Sequence, residues 1–196
     1  MKRLILVRHG QTEWNIERRY QGQTDTQLTD FGRSQMLQTV EMLSSRSVDQ
    51  IFSSPLTRAK ESANIVAQGL NLEVLIEPRF KEMSLGTWEG QSYVLGRQTN
   101  EWFESAPHGG ETGEQFRGRI KDWLQDQEPS DANSEKTILI VVHGLVVQVI
   151  LSELLGEPFE VWHRRPIRNG AITSLLRKDW GWRLEKFNQE RLSGKR

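Results

Sequence analysis

The chain has 196 residues, and its 26 lysines and arginines balance 26 aspartates and glutamates, so the formal net charge is zero. This length suits one α/β domain with a substantial core. The balanced charge argues against a protein that binds nucleic acid or a membrane surface through bulk charge, and the absence of cysteine excludes disulfides, zinc–thiolate sites and cysteine nucleophiles.

No segment has the pattern of a signal peptide or a membrane span. The apolar run at 4–7 is too short for a signal peptide and is followed by Arg8. The most apolar segment, 138–151, is interrupted by His143 and Gln148 and is shorter than the roughly 20 residues that a span needs. We therefore expect a cytoplasmic protein with neither a membrane nor a nucleic acid as partner.

Strand and helix signals alternate along the chain up to residue 155. Short apolar runs predict strands at 4–7, 48–53, 72–76 and 137–142. Capping signals and apolar periodicity predict helices that start at Thr29, at Ser54, at 111–112 and at 145. In the second of these helices, Ser54 is the expected N-cap and Pro55 the expected first helical residue. This alternation predicts a mostly parallel sheet with helices on both faces.

Two regions depart from that alternation. Strands at 171–176 and 182–187, joined by a short turn, predict a hairpin at a sheet edge. The segment 90–110, with a predicted helix at 93–103, is interpreted as a small helical excursion over one end of the sheet. No linker is long enough to divide the chain, so we expect a single domain over 1–196.

Two predicted strands end in a histidine followed by a glycine. The triplet Arg8-His9-Gly10 follows the first strand, and His143-Gly144 follows the strand at 137–142. Ligands bind at the carboxyl ends of strands in open α/β sheets, so two central parallel strands would present both imidazoles at one edge. Either histidine alone could be an ordinary hydrogen-bonding residue at a strand exit, and their matched contexts favour a functional site.

Two arginines make a phosphate group the expected ligand of this site. Arg8 precedes the first histidine, and Arg58 lies in the first turn of the helix predicted after the strand at 48–53. Guanidinium groups match phosphate oxygens, and helix N–H groups add partial positive charge. One imidazole could attack phosphorus if the arginines keep it neutral and a backbone carbonyl accepts a hydrogen bond from its other ring nitrogen. The second imidazole could be a charged donor to the phosphoryl oxygens. The residues alone leave the two histidines interchangeable.

The leaving group of a phosphomonoester also needs a proton. Glu82 and Glu89 are candidates in the glycine-punctuated loop 80–90. A carboxyl group beside aromatic side chains and an anionic substrate has a raised pKa, as a general acid requires. Residue type does not choose between the two glutamates, although Glu89 could instead bond the loop to itself.

Taken together, these stretches resemble the motifs of the histidine phosphatase superfamily, also called phosphoglycerate mutase-like. Segment 8–15 (Arg-His-Gly-Gln-Thr-Glu-Trp-Asn) resembles its opening signature. Similar counterparts exist for the later stretches, which are Gln21-Gly22, 53–59 (Ser-Ser-Pro-Leu-Thr-Arg-Ala), 82–90 and Val142-His143-Gly144. The matches occur in order over nearly the whole chain and look most like the broad-specificity phosphatase branch.

The resemblance implies a three-layer α/β/α sandwich with one strand antiparallel to the rest. It implies that His9 is the nucleophile that forms a phosphohistidine, and that Glu82 is the proton donor and then the base for water. The residues that it assigns to binding the phosphoryl group are Arg8, Arg58, His143, Asn15 and the backbone of Gly144. Gln21 and Gly22 would line the entrance near the substrate.

The implied activity is metal-independent hydrolysis of small phosphomonoesters. A mutase that returns the phosphoryl group to its substrate is the alternative. The chain is compact around 82–90, which resembles the family's acid loop, and mutases usually carry additional segments there. A non-catalytic phosphate-binding module ranks last. Such a module would be expected to lack at least one of His9, Arg58, Glu82 and His143, and all four are present.

Cofactors and partners follow from the same residues. A metal site would need further ligands at suitable spacing, and His108 and His163 lie in unrelated contexts, so we expect no metal or other cofactor. The expected partner is a small phosphorylated metabolite, and the edge hairpin with Trp162 could support a homodimer. Tyr93, Trp102 and Phe103 could wall the substrate pocket or could equally belong to the core.

Overall fold

A sheet of six strands, in the order β3-β2-β4-β1-β5-β6, forms the centre of the computed structural model, which describes residues 1–92, 103, 106, 109–127 and 135–190. The strands are β1 Arg3–Arg8, β2 Gln50–Ser53, β3 Val74–Ile76, β4 Thr137–Val142, β5 Ile172–Lys178 and β6 Gly181–Gln189. The pairs β1–β4, β4–β2 and β2–β3 are parallel, and β5 is antiparallel to both of its neighbours. Among the described strands, β5 therefore runs against all the others, which confirms the expected mostly parallel sheet.

Helices cover both faces of this sheet. They are α1 Glu13–Ile16, α2 Asp30–Leu43, α3 Thr57–Leu70, α4 Gly113–Asp126, α5 Gly144–Leu155 and α6 Phe159–His163, with short 3₁₀ turns at Pro78–Phe80 and Gly86–Trp88. Within the described residues, no helix combines the length and the apolar character that crossing a bilayer requires.

Alternation along the central strands builds two cores, one on each face. In β1, Leu4 and Leu6 belong to a cluster with Phe116 of α4, while Ile5 and Val7 belong to a second cluster that includes Met36 of α2. All six side chains are fully buried, and each contributes about 1.5–3 kcal/mol of transfer free energy. The result is the α/β/α sandwich that the sequence indicated.

The helix starts were predicted correctly at Thr29 but not at Ser54. The Thr29 hydroxyl accepts the Gly32 N–H at 2.9 Å and caps α2. After β2 the chain stays extended, because the Ser54 N–H still donates to the Val141 carbonyl of β4 at 3.2 Å. Helix α3 therefore begins only at Thr57, and Pro55 precedes it.

Two aromatic predictions are decided by burial. Phe103 is 3 % exposed and stacks on Phe159 with ring centroids 4.2 Å apart, so it belongs to the core. Trp162 is 1 % exposed and packs against Phe187, so its indole belongs to the core, and the possible homodimer stays a prediction. The predicted helix at 93–103, with Tyr93 and Trp102, lies outside the described residues except for Phe103.

The turn after β1 depends on two glycines in close contact. A Cβ added to Gly10 would lie 2.4 Å from the Gly32 carbonyl oxygen, a backbone atom that no side-chain rotation can move. We expect Gly10→Ala to lower the free energy of unfolding by about 2 kcal/mol or more, measured by urea denaturation. Gly118→Ala in α4, where nothing lies within 4 Å of the added Cβ, is the matched control and should raise it by about 0.5–1 kcal/mol. Equal effects of both changes would contradict the role of this contact.

Candidate active site

Strand register brings the two histidines side by side. Arg8 of β1 pairs with Val142 of β4, and the His9 N–H donates to the Val142 carbonyl at 2.9 Å. The His9 and His143 rings then follow at neighbouring strand ends, with centroids 5.2 Å apart. Ser54, at the end of β2, lies next to His143 in the same row. The carboxyl ends of three parallel strands thus form the floor of one site.

A backbone carbonyl fixes the His9 ring. Its Nδ1 lies 2.7 Å from the Gly10 carbonyl oxygen, which can only accept, so Nδ1 carries the proton and Nε2 keeps its lone pair. The ring is 2 % exposed. Burial, and then the charges of Arg58 and Arg8, hold the pKa of His9 well below the usual 6.5. The ring is therefore neutral at physiological pH.

His143 has a different environment. It is fully buried, and its Nε2 lies 2.8 Å from the Ser54 hydroxyl. Burial lowers the pKa of His143 well below 6.5, and the charge of Arg58 adds to the effect. In the ligand-free protein these conditions disfavour an imidazolium at either ring. The expectation of one charged donor concerns a bound phosphoryl group and stays a prediction.

Both predicted arginines lie at this site and are anchored by carbonyl groups. Arg58 is 1 % exposed and donates to the Gly22 carbonyl at 2.7 Å and to the Thr24 carbonyl at 2.9 Å. Burial lowers the pKa of Arg58 to about 10, which still leaves it charged at neutral pH. Arg8 is half-buried and donates through Nη1 to the Ile167 carbonyl. Two guanidinium charges thus face the histidine pair.

Glu89 holds the loop that Arg58 contacts. Its carboxylate accepts the N–H groups of Gln23 and Leu85 at 3.0 Å and the N–H of Thr24 at 2.8 Å. Gly22 has φ +50°, and a Cβ there would lie 2.2 Å from Glu89 Oε1. Glu89 is therefore a structural residue that joins the acid loop to the segment after α1.

Glu82 lies at the N-terminus of α5, beside the second histidine. Its Oε2 accepts the Leu145 N–H at 3.3 Å, and its Oε1 accepts the Met83 N–H at 3.0 Å. Burial raises the pKa of Glu82 above the usual 4.5, and these N–H groups with Arg58 only partly offset that rise. Because Leu145 follows Gly144, the carboxyl group and the Gly144 backbone border the same space.

Asn15 has its carboxamide oriented by three donors. Its Oδ1 accepts the Thr12 N–H and hydroxyl, each at 3.1 Å, and Nδ2 of Asn169 at 3.1 Å, while the described residues offer no acceptor to the Asn15 NH₂ group. Asn169 also donates to the His9 carbonyl at 3.0 Å. Asn169-Gly170 has the sequence pattern of a turn, and the link that Asn169 makes between the first histidine and Asn15 was not identified from the sequence.

Gln21 is buried, with 8 % of its surface exposed. Its Oε1 accepts the Thr26 hydroxyl at 2.8 Å and lies 3.1 Å from the Thr12 hydroxyl, whose one proton is shared between Gln21 Oε1 and Asn15 Oδ1. This fixes the carboxamide and, with it, the path of the chain into Gly22. The structure therefore brings every predicted site residue to one end of the sheet.

Arg119 of α4 supports the acid loop and was not singled out from the sequence. Its Nη1 donates to the carbonyls of Arg79 and Lys81, the latter at 2.7 Å, and its Nη2 donates to the Glu82 carbonyl at 3.0 Å. It also pairs with Glu111 at 2.8 Å. One guanidinium thus binds three carbonyl groups of the segment 79–82, which includes Glu82 itself.

We expect Arg119→Ala to lower the free energy of unfolding by about 2 kcal/mol, because the loop carbonyls lose a charged donor. Amide hydrogen exchange at Met83 should accelerate at the same time. The matched control is Lys121→Ala on the same helix, whose side chain is 48 % exposed and pairs with Glu153 at 3.2 Å. That change should stay within about 0.5 kcal/mol of the parent protein. If the two variants behave alike, Arg119 does not support the loop.

No group of three or more histidine, aspartate or glutamate side chains suited to a metal ion occurs in the described part of the chain. The donors that converge here are guanidinium, imidazole and backbone N–H groups, which suit an anion.

Comparison with known proteins agrees with this geometry. A curated relative from Proteus mirabilis, named "Probable phosphoglycerate mutase GpmB", is 33 % identical over 189 residues, covering 93 % of this chain and 88 % of the relative. The glucosyl-3-phosphoglycerate phosphatase of Mycolicibacterium vanbaalenii is 33 % identical over 178 residues, covering 83 % of this chain and 78 % of the relative. The solved structure of phosphoserine phosphatase from Entamoeba histolytica in complex with 3-phosphoglyceric acid superposes with a TM-score of 0.83 at 30 % identity, covering 97 % of this chain and 98 % of that one.

The sequence profile of one family matches residues 4–190, which is nearly the full chain. That span includes both strand-end histidines, both arginines and the acid loop. The chain therefore belongs to the histidine phosphatase superfamily, branch 1.

Proposed function

We propose that this protein is a metal-independent phosphatase that hydrolyses small phosphomonoesters through a phosphohistidine. The observation that carries the proposal is the state of His9. Its Nδ1 is bonded to the Gly10 carbonyl at 2.7 Å, its pKa is lowered, and Arg8 and Arg58 lie beside it. A neutral imidazole with a free Nε2 lone pair next to two guanidinium charges is suited to attack a phosphoryl group.

In the first half-reaction, His9 Nε2 attacks phosphorus, and the bond between phosphorus and the ester oxygen breaks. The leaving oxygen takes the proton of Glu82, whose raised pKa favours the protonated form. In the second half-reaction, Glu82 removes a proton from water, the water oxygen attacks phosphorus, and the N–P bond breaks. Phosphate leaves, and His9 and Glu82 return to their starting protonation states.

The remaining residues bind the group that is transferred. Arg8 and Arg58 supply two positive charges against a phosphoryl dianion, and the backbone N–H of Gly144 adds the partial charge of the α5 N-terminus. Asn15 contributes its NH₂ group, and Gln21 shapes the entrance at Gly22. Electrostatic preorganisation of this kind accounts for most of the catalysis of phosphoryl transfer.

The substrate class that we propose is a small metabolite carrying both a phosphate and a carboxylate or sugar group. Support comes from relatives whose names specify glucosyl-3-phosphoglycerate and phosphoserine. Phosphoglycerate mutase activity is the second candidate, since another relative carries that name.

One assay series tests both candidates. The purified protein is incubated with 3-phosphoglycerate, glucosyl-3-phosphoglycerate, phosphoserine and sugar phosphates, and free phosphate and 2-phosphoglycerate are quantified. Release of phosphate in the presence of a metal chelator is the expected result. Conversion of 3-phosphoglycerate to 2-phosphoglycerate without release would establish the mutase instead, and turnover that requires an added metal would contradict both.

A further inference from the structure

The Ser54 hydroxyl is the hydrogen-bond partner of the second histidine. It lies 2.8 Å from His143 Nε2, and it also accepts the Leu56 N–H at 3.3 Å. Ser54 and His143 are both fully buried. The position of the hydroxyl proton therefore decides which ring nitrogen of His143 is protonated.

Counting donors and acceptors favours one arrangement. A serine hydroxyl has one proton to donate, and His143 Nε2 is the acceptor that the described residues offer to it. If Nε2 instead carried the proton, two groups would lack a partner among the described residues, namely the hydroxyl proton and the His143 Nδ1 lone pair. With the proton on Nδ1, one group lacks a partner there, namely the Nδ1–H. Within the described residues, Nδ1 has no hydrogen-bond partner and is buried. Leaving buried polar groups unpaired costs about 1–3 kcal/mol each.

We propose that Ser54 donates to His143 Nε2 and so holds His143 as the neutral Nδ1–H tautomer, which makes this ring a hydrogen-bond donor to a bound phosphoryl group and not a second nucleophile. The inference deepens the proposed function and rests on it, because it assigns the donor role within that reaction. Ser54 acts through His143 and is a positioning residue.

This arrangement distinguishes two rings that the sequence leaves equivalent. In His9, the Nδ1–H donates to the Gly10 carbonyl, which leaves the Nε2 lone pair free. In His143, the Ser54 hydroxyl occupies the Nε2 lone pair and leaves the Nδ1–H free. Both rings are in the same tautomer, but only His9 presents a lone pair. With His143 neutral, the charges of Arg8 and Arg58 alone balance a phosphoryl dianion.

The first test is nitrogen NMR of the ¹⁵N-histidine-labelled protein at neutral pH, without ligand. The His143 signals are assigned by their absence from the His143→Asn variant. We expect His143 Nδ1 to resonate as a protonated nitrogen and Nε2 as an unprotonated one. A protonated Nε2, alone or together with Nδ1, would overturn the proposal, and this measurement needs no variant of Ser54.

The second test compares Ser54→Ala with Ser174→Ala for binding of inorganic phosphate by calorimetry. Ser174 is also buried, lies on β5, and its hydroxyl has no hydrogen-bond partner within the described residues. We expect Ser54→Ala to populate the other His143 tautomer and to raise the phosphate Kd roughly tenfold, the effect of about one hydrogen bond. Ser174→Ala should change the Kd by less than about twofold.

An unchanged tautomer and an unchanged phosphate Kd in Ser54→Ala would overturn the proposal. Neither readout depends on turnover. A protein that shows the expected tautomer but hydrolyses no phosphomonoester would therefore count against the proposed function alone.

Discussion

Replacing His9 with alanine is expected to abolish turnover and the transfer of phosphate from substrate to protein. We assign the attack on phosphorus to this imidazole because its Nε2 lone pair is free, so its loss should lower kcat by at least about 10⁴-fold. Rapid-quench experiments with ³²P-labelled substrate measure both quantities, since a phosphohistidine is labile to acid and stable to base.

The matched control for this change is His163→Ala, which removes an imidazole from α6. That ring stacks on Phe159, with centroids 5.4 Å apart, and lies outside the site. The control should keep labelling and activity close to those of the parent protein. Label that persists in His9→Ala and disappears on further replacement of His143 would transfer the nucleophilic role to the second histidine.

Replacing Glu82 with glutamine is expected to lower kcat by about 10²–10⁴-fold for alkyl phosphates, because the leaving alkoxide then has no proton donor. The loss should be much smaller for p-nitrophenyl phosphate, whose leaving group departs without a proton. Steady-state kinetics on both substrates measure this difference. An equal loss on both would mean that Glu82 positions substrate and does not donate a proton.

The pH dependence of activity is a second test of Glu82 as the proton donor. Burial raises the pKa of Glu82 above 4.5, so the protonated, donating form persists at higher pH than for an ordinary carboxyl group. Activity on alkyl phosphates should fall as pH rises through that raised pKa, and the fall should be absent from Glu82→Gln. Glu89→Gln is the control, since it weakens loop hydrogen bonds without removing the donor, and it should keep both the fall and the leaving-group dependence unchanged.

The sheet and its two cores could be predicted because each central strand has a clear pattern in its own stretch of sequence. The runs at 4–7 and 137–142 are continuous and apolar, as strands buried on both faces require. The start of α3 could not be predicted in this way. Ser54-Pro55 has the pattern of a helix N-terminus, but Asp25, from a distant loop, accepts the Thr57 N–H at 2.8 Å and satisfies the true first turn.

The convergence of the two histidines was also predictable, since both follow parallel strands. The contacts of Asn169 and Arg119 were not. The pattern Asn169-Gly170 is fully explained by a turn. Nothing in the neighbouring sequence indicates that the Asn169 side-chain amide contacts His9 and Asn15. Arg119 reads as an exposed helix residue because its three carbonyl acceptors lie about forty residues earlier in the chain.

The pairing of β1 with β4 has a consequence for how activity is acquired. Arg8 and Val142 are adjacent in the sheet but lie far apart in the sequence, so the two histidines meet only after a large loop has closed. Contacts of such separation form slowly and late in folding. In a refolding experiment, phosphate binding should therefore appear with the final cooperative phase and be absent from any earlier species that has helical structure alone.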